Sequence, residues 1–228
     1  WLPAITNQAG SYRLSQGSQI ITALQTRQEI LIWTDTSIYS MQFVGAPYVW
    51  TFQIMGSNLS IISPNAAVTV NNITYWMGTD KFYMYSGRVE TLPCSLRQYI
   101  YDDINLEQGF QVFGGTNEGY NEIWWYYCSA NSTTVDKYVI YNYVENTWYN
   151  GTISRTSWLG SRLRTYPMAT NYDSSAQAGN LIYHEDGVDD GSVRRSHEGA
   201  DCRAPFHEAE EAVHYGSETG SLYSQGVS

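Results

Sequence analysis

The sequence predicts an all-β fold, a β-propeller or propeller-like array of four-stranded antiparallel blades with one short connecting helix. Two observations predict it. Hydrophobic segments of one shape recur along the chain at spacings typical of four-stranded blades. The 228 residues also include 20 Tyr and 8 Trp, and aromatic residues favour strands. Whether the array closes within this chain is left open by the sequence.

The recurring segments, here called anchor segments, each begin with Glu or Asn and continue with apolar and aromatic residues. Their first apolar residues are Ile30, Ile73, Ile123 and Leu181, which are 43, 50 and 58 residues apart. The residues beyond those that a minimal four-stranded blade needs are assigned to loops. This spacing predicts a propeller-like β domain of about three and a half blades over residues 1–190.

Weaker strand-like segments precede the anchors, and two further segments follow each of the first three anchors after turn signals. The preceding segments are IITALQT, AAVTV, FQVFGG and PMATNY, and the following ones are SIYSMQF, YVWTFQIM, KFYMYSG, RVETL, KYVIYNY and NTWYNGTI. Four strands, repeated three times, are therefore predicted.

The anchor segments are apolar on both faces. Leu31 and Trp33 alternate with Ile30 and Ile32, whereas a strand with one wet face alternates polar and apolar residues. We therefore expect sheets that are covered on both sides, with large aromatic side chains filling the space between neighbours. The predicted aromatic core consists of Trp33, Trp76, Trp124, Trp125 and Trp148.

One segment, CSLRQYIYDDI, predicts a short helix in a connection between blades. Ser95 can cap its first turn, and Leu96, Tyr99 and Ile100 share one stripe. A second, less regular segment predicts a helix that begins near Pro205.

The C-terminal segment, residues 191–228, differs in composition from the rest of the chain. Residues 185–228 hold 10 acidic and 3 basic side chains, a net charge of −7, against 12 and 9, a net of −3, in residues 1–184. Apolar residues are too few to offset the entropy of ordering this segment. We expect an acidic, His-containing tail that is irregular or weakly helical.

The sequence predicts no metal site and no cofactor. His207 and His214 are seven residues apart, rather than at the four-residue spacing of a zincin helix. The acidic run at 185–191 is interrupted by Val188 where an EF-hand needs oxygen ligands, which favours a solvated loop. The cysteines lack metal-binding spacing and are interpreted as ordinary thiols: Cys94, Cys128 and Cys202.

No catalytic pattern is present, and we predict that the protein is not an enzyme. A paired-carboxylate mechanism needs two acids that converge, whereas Asp102 and Asp103 are adjacent at the end of the predicted helix and diverge. Neither a glycine-rich phosphate loop nor a nucleophile elbow occurs in the sequence. A hydrolase is the weaker alternative, with Asp102 or Glu185 as the residue to test.

A local basic patch lies in SRTSWLGSRLRTYP, with aromatic residues between the arginines. Such a patch can contact phosphates. The alternative is a loop that pairs with acidic residues between blades or subunits. The residues concerned are Arg155, Arg162 and Arg164.

Neither targeting nor membrane insertion is predicted. The chain begins with Trp1 and no signal-peptide pattern follows, so we interpret it as a fragment or processed piece. Its apolar runs are well under the ~18 residues of a membrane span, so none is expected. Four sequons are interpreted as chance matches in a chain rich in Asn, Ser and Thr: Asn58, Asn72, Asn131 and Asn150.

Several long phrases resemble tailed-bacteriophage virion structural proteins. They are GSQIITALQTRQEILIWTDTSIYSMQFVGAP, NAAVTVNNITYWMGTDKFYMYSGRVETLPC, GTNEGYNEIWWYYCSANSTTVDKYVIYNYVENTWY and SWLGSRLR. Within residues 1–190 the chain is similar to tail tubular, nozzle and packaged-DNA stabilisation proteins of short-tailed phages. After HEDGVDDG the sequence departs from the expected pattern.

The resemblance implies a ring of sibling subunits below the portal, with propeller-like β domains around a passage for the viral DNA. It also implies contacts with the portal or an adaptor and with other tail proteins, and a place in the virion. It offers no catalytic residues. The expected function is a non-enzymatic component of the tail or head-to-tail connector, part of the channel that retains and delivers the genome.

The alternative function is a carbohydrate- or receptor-binding β-propeller. Such a protein presents exposed aromatic side chains near loops as platforms for sugars. The candidates for this role are Trp50, Trp148 and Trp158.

Overall fold

The structure, a computed structural model, describes residues 9–160, 166–173 and 178–185 and, beyond them, the backbone of four two-residue strands. The chain divides into two compact units, Trp1–Pro93 and Cys94–Ser228. The described residues are mostly β, arranged in antiparallel sheets of three to four main strands.

The first unit contains two four-stranded sheets whose strands follow one another in chain order. The strands of the first sheet are β1 (Ile20–Gln25), β2 (Ile30–Thr34), β3 (Ser37–Phe43) and β4 (Trp50–Ser57). Those of the second sheet are β5 (Ala67–Val70), β6 (Ile73–Met77), β7 (Phe82–Tyr85) and β8 (Val89–Leu92). Each of the two sheets therefore matches one predicted four-stranded repeat.

The second unit begins with α1 (Arg97–Asp103) and a 3-10 helix (Leu106–Gln111). Its third sheet consists of β9 (Phe113–Asn117), β10 (Glu122–Tyr127), β11 (Lys137–Asn142) and β12 (Thr147–Thr152). Its fourth sheet is built on β13 (Ser157–Leu159), β14 (Met168–Asp173) and β15 (Ala178–Tyr183).

Four two-residue strands follow along the chain: β16 (Asp189–Asp190), β17 (Val193–Arg194), β18 (Glu198–Gly199) and β19 (Gly216–Ser217). Strands β16 and β17 pair with each other, β18 pairs with β12, and β19 pairs with β15. A strand pair thus begins inside the acidic run where the sequence predicts a loop. The predicted helix near Pro205 lies outside the described residues.

The core of the first unit lies between its two sheets. Trp33 on β2 meets Trp76 on β6 edge to face, with ring centroids 5.4 Å apart, and Trp76 stacks on Tyr83 at 5.2 Å. Trp76 is fully buried and its indole N–H donates to the carbonyl of Ser60 at 3.1 Å. Buried aromatic rings on β2, β6 and β7 thus pack the two sheets against each other.

The third sheet is buried on both faces, as its anchor segment predicts. Every residue from Ile123 to Tyr127 is 0% exposed. On one face Trp125 stacks with Trp148, which in turn contacts Tyr141 at 4.7 Å. The five tryptophans predicted to form the core are between 0 and 3% exposed.

Three local predictions are wrong, and one strand was missed. The helix has Leu96 at its N-cap without a side-chain hydrogen bond, so Ser95 does not cap it, and Tyr99 is 48% exposed rather than on a buried stripe. The segment FQVFGG is not one strand, because its first two residues end the 3-10 helix. Strand β13 was not predicted, because three residues are too few to show a period of two.

Candidate functional site

The fourth sheet is attached to the third through Trp158. Its indole N–H donates to the carbonyl of Thr116 at 3.0 Å, and its ring stacks on Trp124 with centroids 5.6 Å apart. The ring lies directly over Gly115 of β9, where an added Cβ would overlap the indole. A residue without a side chain is therefore required at this position of β9.

A buried cation lies beside this aromatic cluster. Arg155 is only 2% exposed, and its Nε donates to Nε2 of His184 at 3.1 Å. Its Nη1 donates to the carbonyl of Ser154 at 2.6 Å. His184 is fully buried, and its backbone N–H donates to the carbonyl of Pro167 at 2.8 Å.

The imidazole of His184 is enclosed by indoles. It meets the ring of Trp158 at 4.5 Å and that of Trp124 at 6.2 Å, both edge to face. Burial and the neighbouring guanidinium of Arg155 lower the pKa of His184 well below its usual value, because both disfavour a second positive charge.

The hydrogen bond fixes the protonation state of the ring. Nε2 of His184 accepts from Arg155, so it carries no proton, and a neutral imidazole then has its proton on Nδ1. The same lone pair is not free to bind a metal ion. The arrangement joins the segments before β13 and after β15 and resembles a packing contact rather than a reaction centre.

The basic patch therefore divides in the structure. Arg155 does not present its guanidinium to solvent, which disfavours the predicted phosphate contact. Its hydrogen bonds to His184 and to the carbonyl of Ser154 are not the predicted alternative of a loop paired with acidic residues. Trp158, which lies between the arginines in the sequence, packs against the core of the second unit. Arg162 and Arg164 lie outside the described residues.

The candidate acids have separate partners. Asp103 pairs with Lys137 at 2.9 Å, while Asp102 on the same helix is exposed. Glu185 accepts a hydrogen bond from the amide of Asn117 at 2.9 Å. In the parts of the chain that are described, no group of three or more His, Cys, Asp or Glu could hold a metal ion.

The two described cysteines are free thiols, as the sequence predicts. Burial raises the pKa of Cys94 to about 12 and that of Cys128 to about 11. A thiol with such a pKa holds little thiolate near neutral pH, and the thiolate is the reactive form. Cys202 lies outside the described residues.

Of the three tryptophans considered as sugar platforms, Trp50 is the exposed one. It is 43% exposed and meets Phe43 edge to face at 5.4 Å. Trp148 is 3% exposed, and Trp158 packs against the core of the second unit. Both are therefore unsuited to stack on a ligand in this conformation.

The β3–β4 hairpin carries four exposed apolar side chains, here called the hairpin surface. Its tip is closed by a hydrogen bond from Val44 N–H to the carbonyl of Val49 at 3.1 Å. No charged residue or histidine occurs between Asp35 and Asp80. The hairpin surface consists of Phe43, Tyr48, Trp50 and Ile54, which are 60, 78, 43 and 40% exposed.

A second apolar surface lies on the fourth sheet, here called the fourth-sheet surface. The strand pairing places Leu159, Tyr172 and Leu181 on the face opposite Trp158 and Ile182, which face the core. They are 56, 57 and 49% exposed, respectively. Contiguous exposed apolar side chains mark surfaces that bind other molecules.

Sequence reasoning missed the pairing of Arg155 with His184 and both apolar surfaces. Arg155 and His184 are 29 residues apart in the sequence and belong to no motif. No local pattern therefore indicates their contact. The hairpin surface did leave a signal, the long stretch without charge between Asp35 and Asp80.

Comparison with models of known protein families gives no match, and comparison with curated proteins gives none. Across the described residues, the structure has no helix of the length and apolar character that a membrane crossing requires.

Proposed function

We propose that this chain is a non-enzymatic structural component of a phage virion, located in the tail or head-to-tail connector. There it forms part of the channel that retains and delivers the genome. Its sheets are the blades of a propeller-like array of about three and a half blades over residues 1–190. Its partners are sibling subunits in a ring, the portal or an adaptor, and other tail proteins.

The observation that carries this proposal is the use of the aromatic side chains in packing. In each unit, indoles on one sheet contact those on the next, Trp33 with Trp76 and Trp124 with Trp158. Interiors packed in this way are stiff and transmit load, which suits a channel wall. The phage setting comes from the resemblance of the sequence.

Two further features support an assembled protein. The hairpin surface and the fourth-sheet surface are apolar and exposed, as contact surfaces between subunits are. The chain as a whole carries a net charge of −10. An acidic wall lets DNA pass without binding tightly, because phosphate contacts need Lys and Arg.

Binding to a phage portal tests the proposal. The full-length protein is mixed with portal rings of a short-tailed phage, and co-sedimentation is measured on a density gradient. We expect the protein to sediment with the portal, and Leu181→Asp on the fourth-sheet surface to weaken that association. Leu106→Asp, which changes a leucine that is 57% exposed on the 3-10 helix, is the matched control. No co-sedimentation with any portal tested would contradict the proposal.

The second candidate function is carbohydrate or receptor binding, favoured by the exposed pair of Trp50 and Phe43. If it holds, the protein binds members of a glycan array and Trp50→Ala abolishes that binding. Tyr48→Ala changes a neighbouring ring that is 78% exposed and serves as the control. Absence of glycan binding by the unmodified protein would remove this candidate.

A further inference from the structure

Strand β4 is an outer strand without the usual protection. Among the described strands it pairs with β3 alone, and its sequence WTFQIMGS is uncharged. Every second backbone N–H and C=O of such a strand points away from the sheet. Natural sheets shield open edges by charge, short length or a cover, because an open edge can pair with another chain.

The corresponding strands of the next two sheets are shielded. Strand β8 has four residues and carries Glu90, which is paired with Arg88. Strand β12 is covered at its edge by β18. Among the last strands of the first three sheets, β4 is therefore the one that is long, uncharged and open at its outer edge.

The charge distribution favours a second copy of this chain as the partner. Two copies of a chain with a net charge of −10 repel each other. The stretch between Asp35 and Asp80, which includes β4, contains no charge. Strand β4 therefore brings no charged side chain of its own to a contact between two copies.

The side-chain pattern of β4 is symmetric about Phe52. Residues Trp50 to Ile54 pair regularly with β3, and the irregularity in the register comes after Ile54. Side chains alternate between faces, so Trp50, Phe52 and Ile54 share one face. Thr51 and Gln53, both exposed, lie on the other.

Reversal of the strand leaves this pattern unchanged. In an antiparallel pair centred on Phe52, the two Phe52 residues lie opposite each other, each ring stacked on Tyr12 of its own chain. Each Trp50 lies opposite Ile54 of the other copy. Thr51 faces Gln53 on the opposite face. Aromatic pairs and aromatic–aliphatic pairs across strands stabilise sheets, and hydroxyl and amide groups can hydrogen-bond.

We propose that two copies of this chain pair through antiparallel β4 strands centred on Phe52, forming one continuous eight-stranded sheet. Trp50 of each copy then meets Ile54 of the other, one such contact on either side of the central Phe52 pair. This two-fold contact joins two copies and cannot by itself build a ring. It goes beyond the proposed function and can hold without it.

Sedimentation velocity of the full chain over a range of concentrations tests the pairing. The unmodified chain of 25.9 kDa is expected to form a dimer. The double variants Thr51→Lys/Gln53→Lys and Thr51→Glu/Gln53→Glu place like charges opposite each other. We expect each alone to raise the dimer dissociation constant at least about tenfold.

An equal mixture of the two double variants is the decisive measurement, because it places opposite charges across the pair. We expect the mixture to regain the dimer. Thr91→Lys on β8, at an exposed position of another outer strand, is the control and should leave the dimer intact.

Three outcomes would overturn the pairing: an unmodified chain that stays monomeric, a lysine variant that dimerises normally, or a mixture that stays monomeric. If circular dichroism shows that the charged variants do not fold, hydrogen exchange of the unmodified chain decides the matter. The amides of β4 should exchange more slowly in concentrated than in dilute solution, and equal rates would refute the pairing.

The two proposals can fail separately. A monomer that sediments with the portal would refute the pairing alone, whereas a dimer that does not sediment with the portal would refute the proposed function alone.

Discussion

The contact between Arg155 and His184 places a cation beside a neutral imidazole inside the second unit. Burial and the guanidinium together lower the pKa of His184 well below its usual value. The unfolded chain, in contrast, takes up a proton on this histidine at about pH 6.5. Folding therefore excludes a proton that the unfolded state binds.

The stability of the protein should fall as the pH falls below about 6.5. A group whose pKa is depressed by folding contributes stability above its unfolded pKa and loses it towards its folded pKa. The expected slope is up to ~1.4 kcal/mol of unfolding free energy per pH unit, measured by urea unfolding between pH 8 and 5.5.

His184→Gln is the matched control for this pH dependence. An amide oxygen can accept the hydrogen bond from Arg155 but does not titrate. In the variant, the slope of the unfolding free energy against pH should be smaller by the contribution of about one proton. The contributions of the other titrating groups should be unchanged. An identical slope in both proteins would show that His184 is not buried as described.

Trp124 is the central ring of the second unit. It is fully buried and stacks with Tyr138 at 4.9 Å and with Trp158 at 5.6 Å. Trp124→Ala should lower the free energy of unfolding by roughly 3 to 5 kcal/mol, as measured by denaturant titration. Phe110→Ala, at a ring that is 67% exposed, should change it by less than about 0.5 kcal/mol. An unchanged unfolding curve for Trp124→Ala would place this ring outside the core.

At the scale of elements, the junction of β9 and β13 depends on the absence of a side chain at Gly115. A Cβ there would overlap the Trp158 ring, which is held by stacking and by its bond to Thr116. Overpacking of this kind costs about 1 to 3 kcal/mol. Gly115→Ala should therefore destabilise the protein by about that amount in urea unfolding.

Gly119→Ala is the control for this prediction. The nearest atom to an added Cβ at Gly119 is 3.8 Å away, an ordinary contact distance. Equal effects of the two substitutions would mean that Trp158 does not lie against β9.

The main strands could be predicted from the sequence because their apolar residues recur with a clear period and turn residues separate them. Strand β3 occurs at Ser37–Phe43, where the segment SIYSMQF predicts it. Strand β13 and the contact of Arg155 with His184 could not be predicted, since one is too short and the other joins distant residues.

The exposure of individual aromatic rings could not be predicted from the sequence either. Trp50 and Trp148 both lie in aromatic strands, yet one is 43% and the other 3% exposed. Strand register and the neighbouring sheet decide which face of a strand is covered. Neither can be predicted from the local sequence pattern. The choice among sugar-platform candidates therefore required the structure.

At the scale of the whole molecule, one scheme recurs in both units: antiparallel sheets in chain order, packed through indoles. Among the described residues, exposed apolar side chains occur on both units, in the hairpin surface of the first and the fourth-sheet surface of the second. This distribution suits a protein whose work is contact with other subunits. If the proposed function holds, the acidic residues are expected to line or rim a passage for DNA.

Negative-stain images of the full-length protein mixed with portal rings test this account most directly. We predict rings of the protein seated on the portal, with a central opening that continues the portal channel. A protein that remains separate from the portal and binds a small ligand instead would contradict the account.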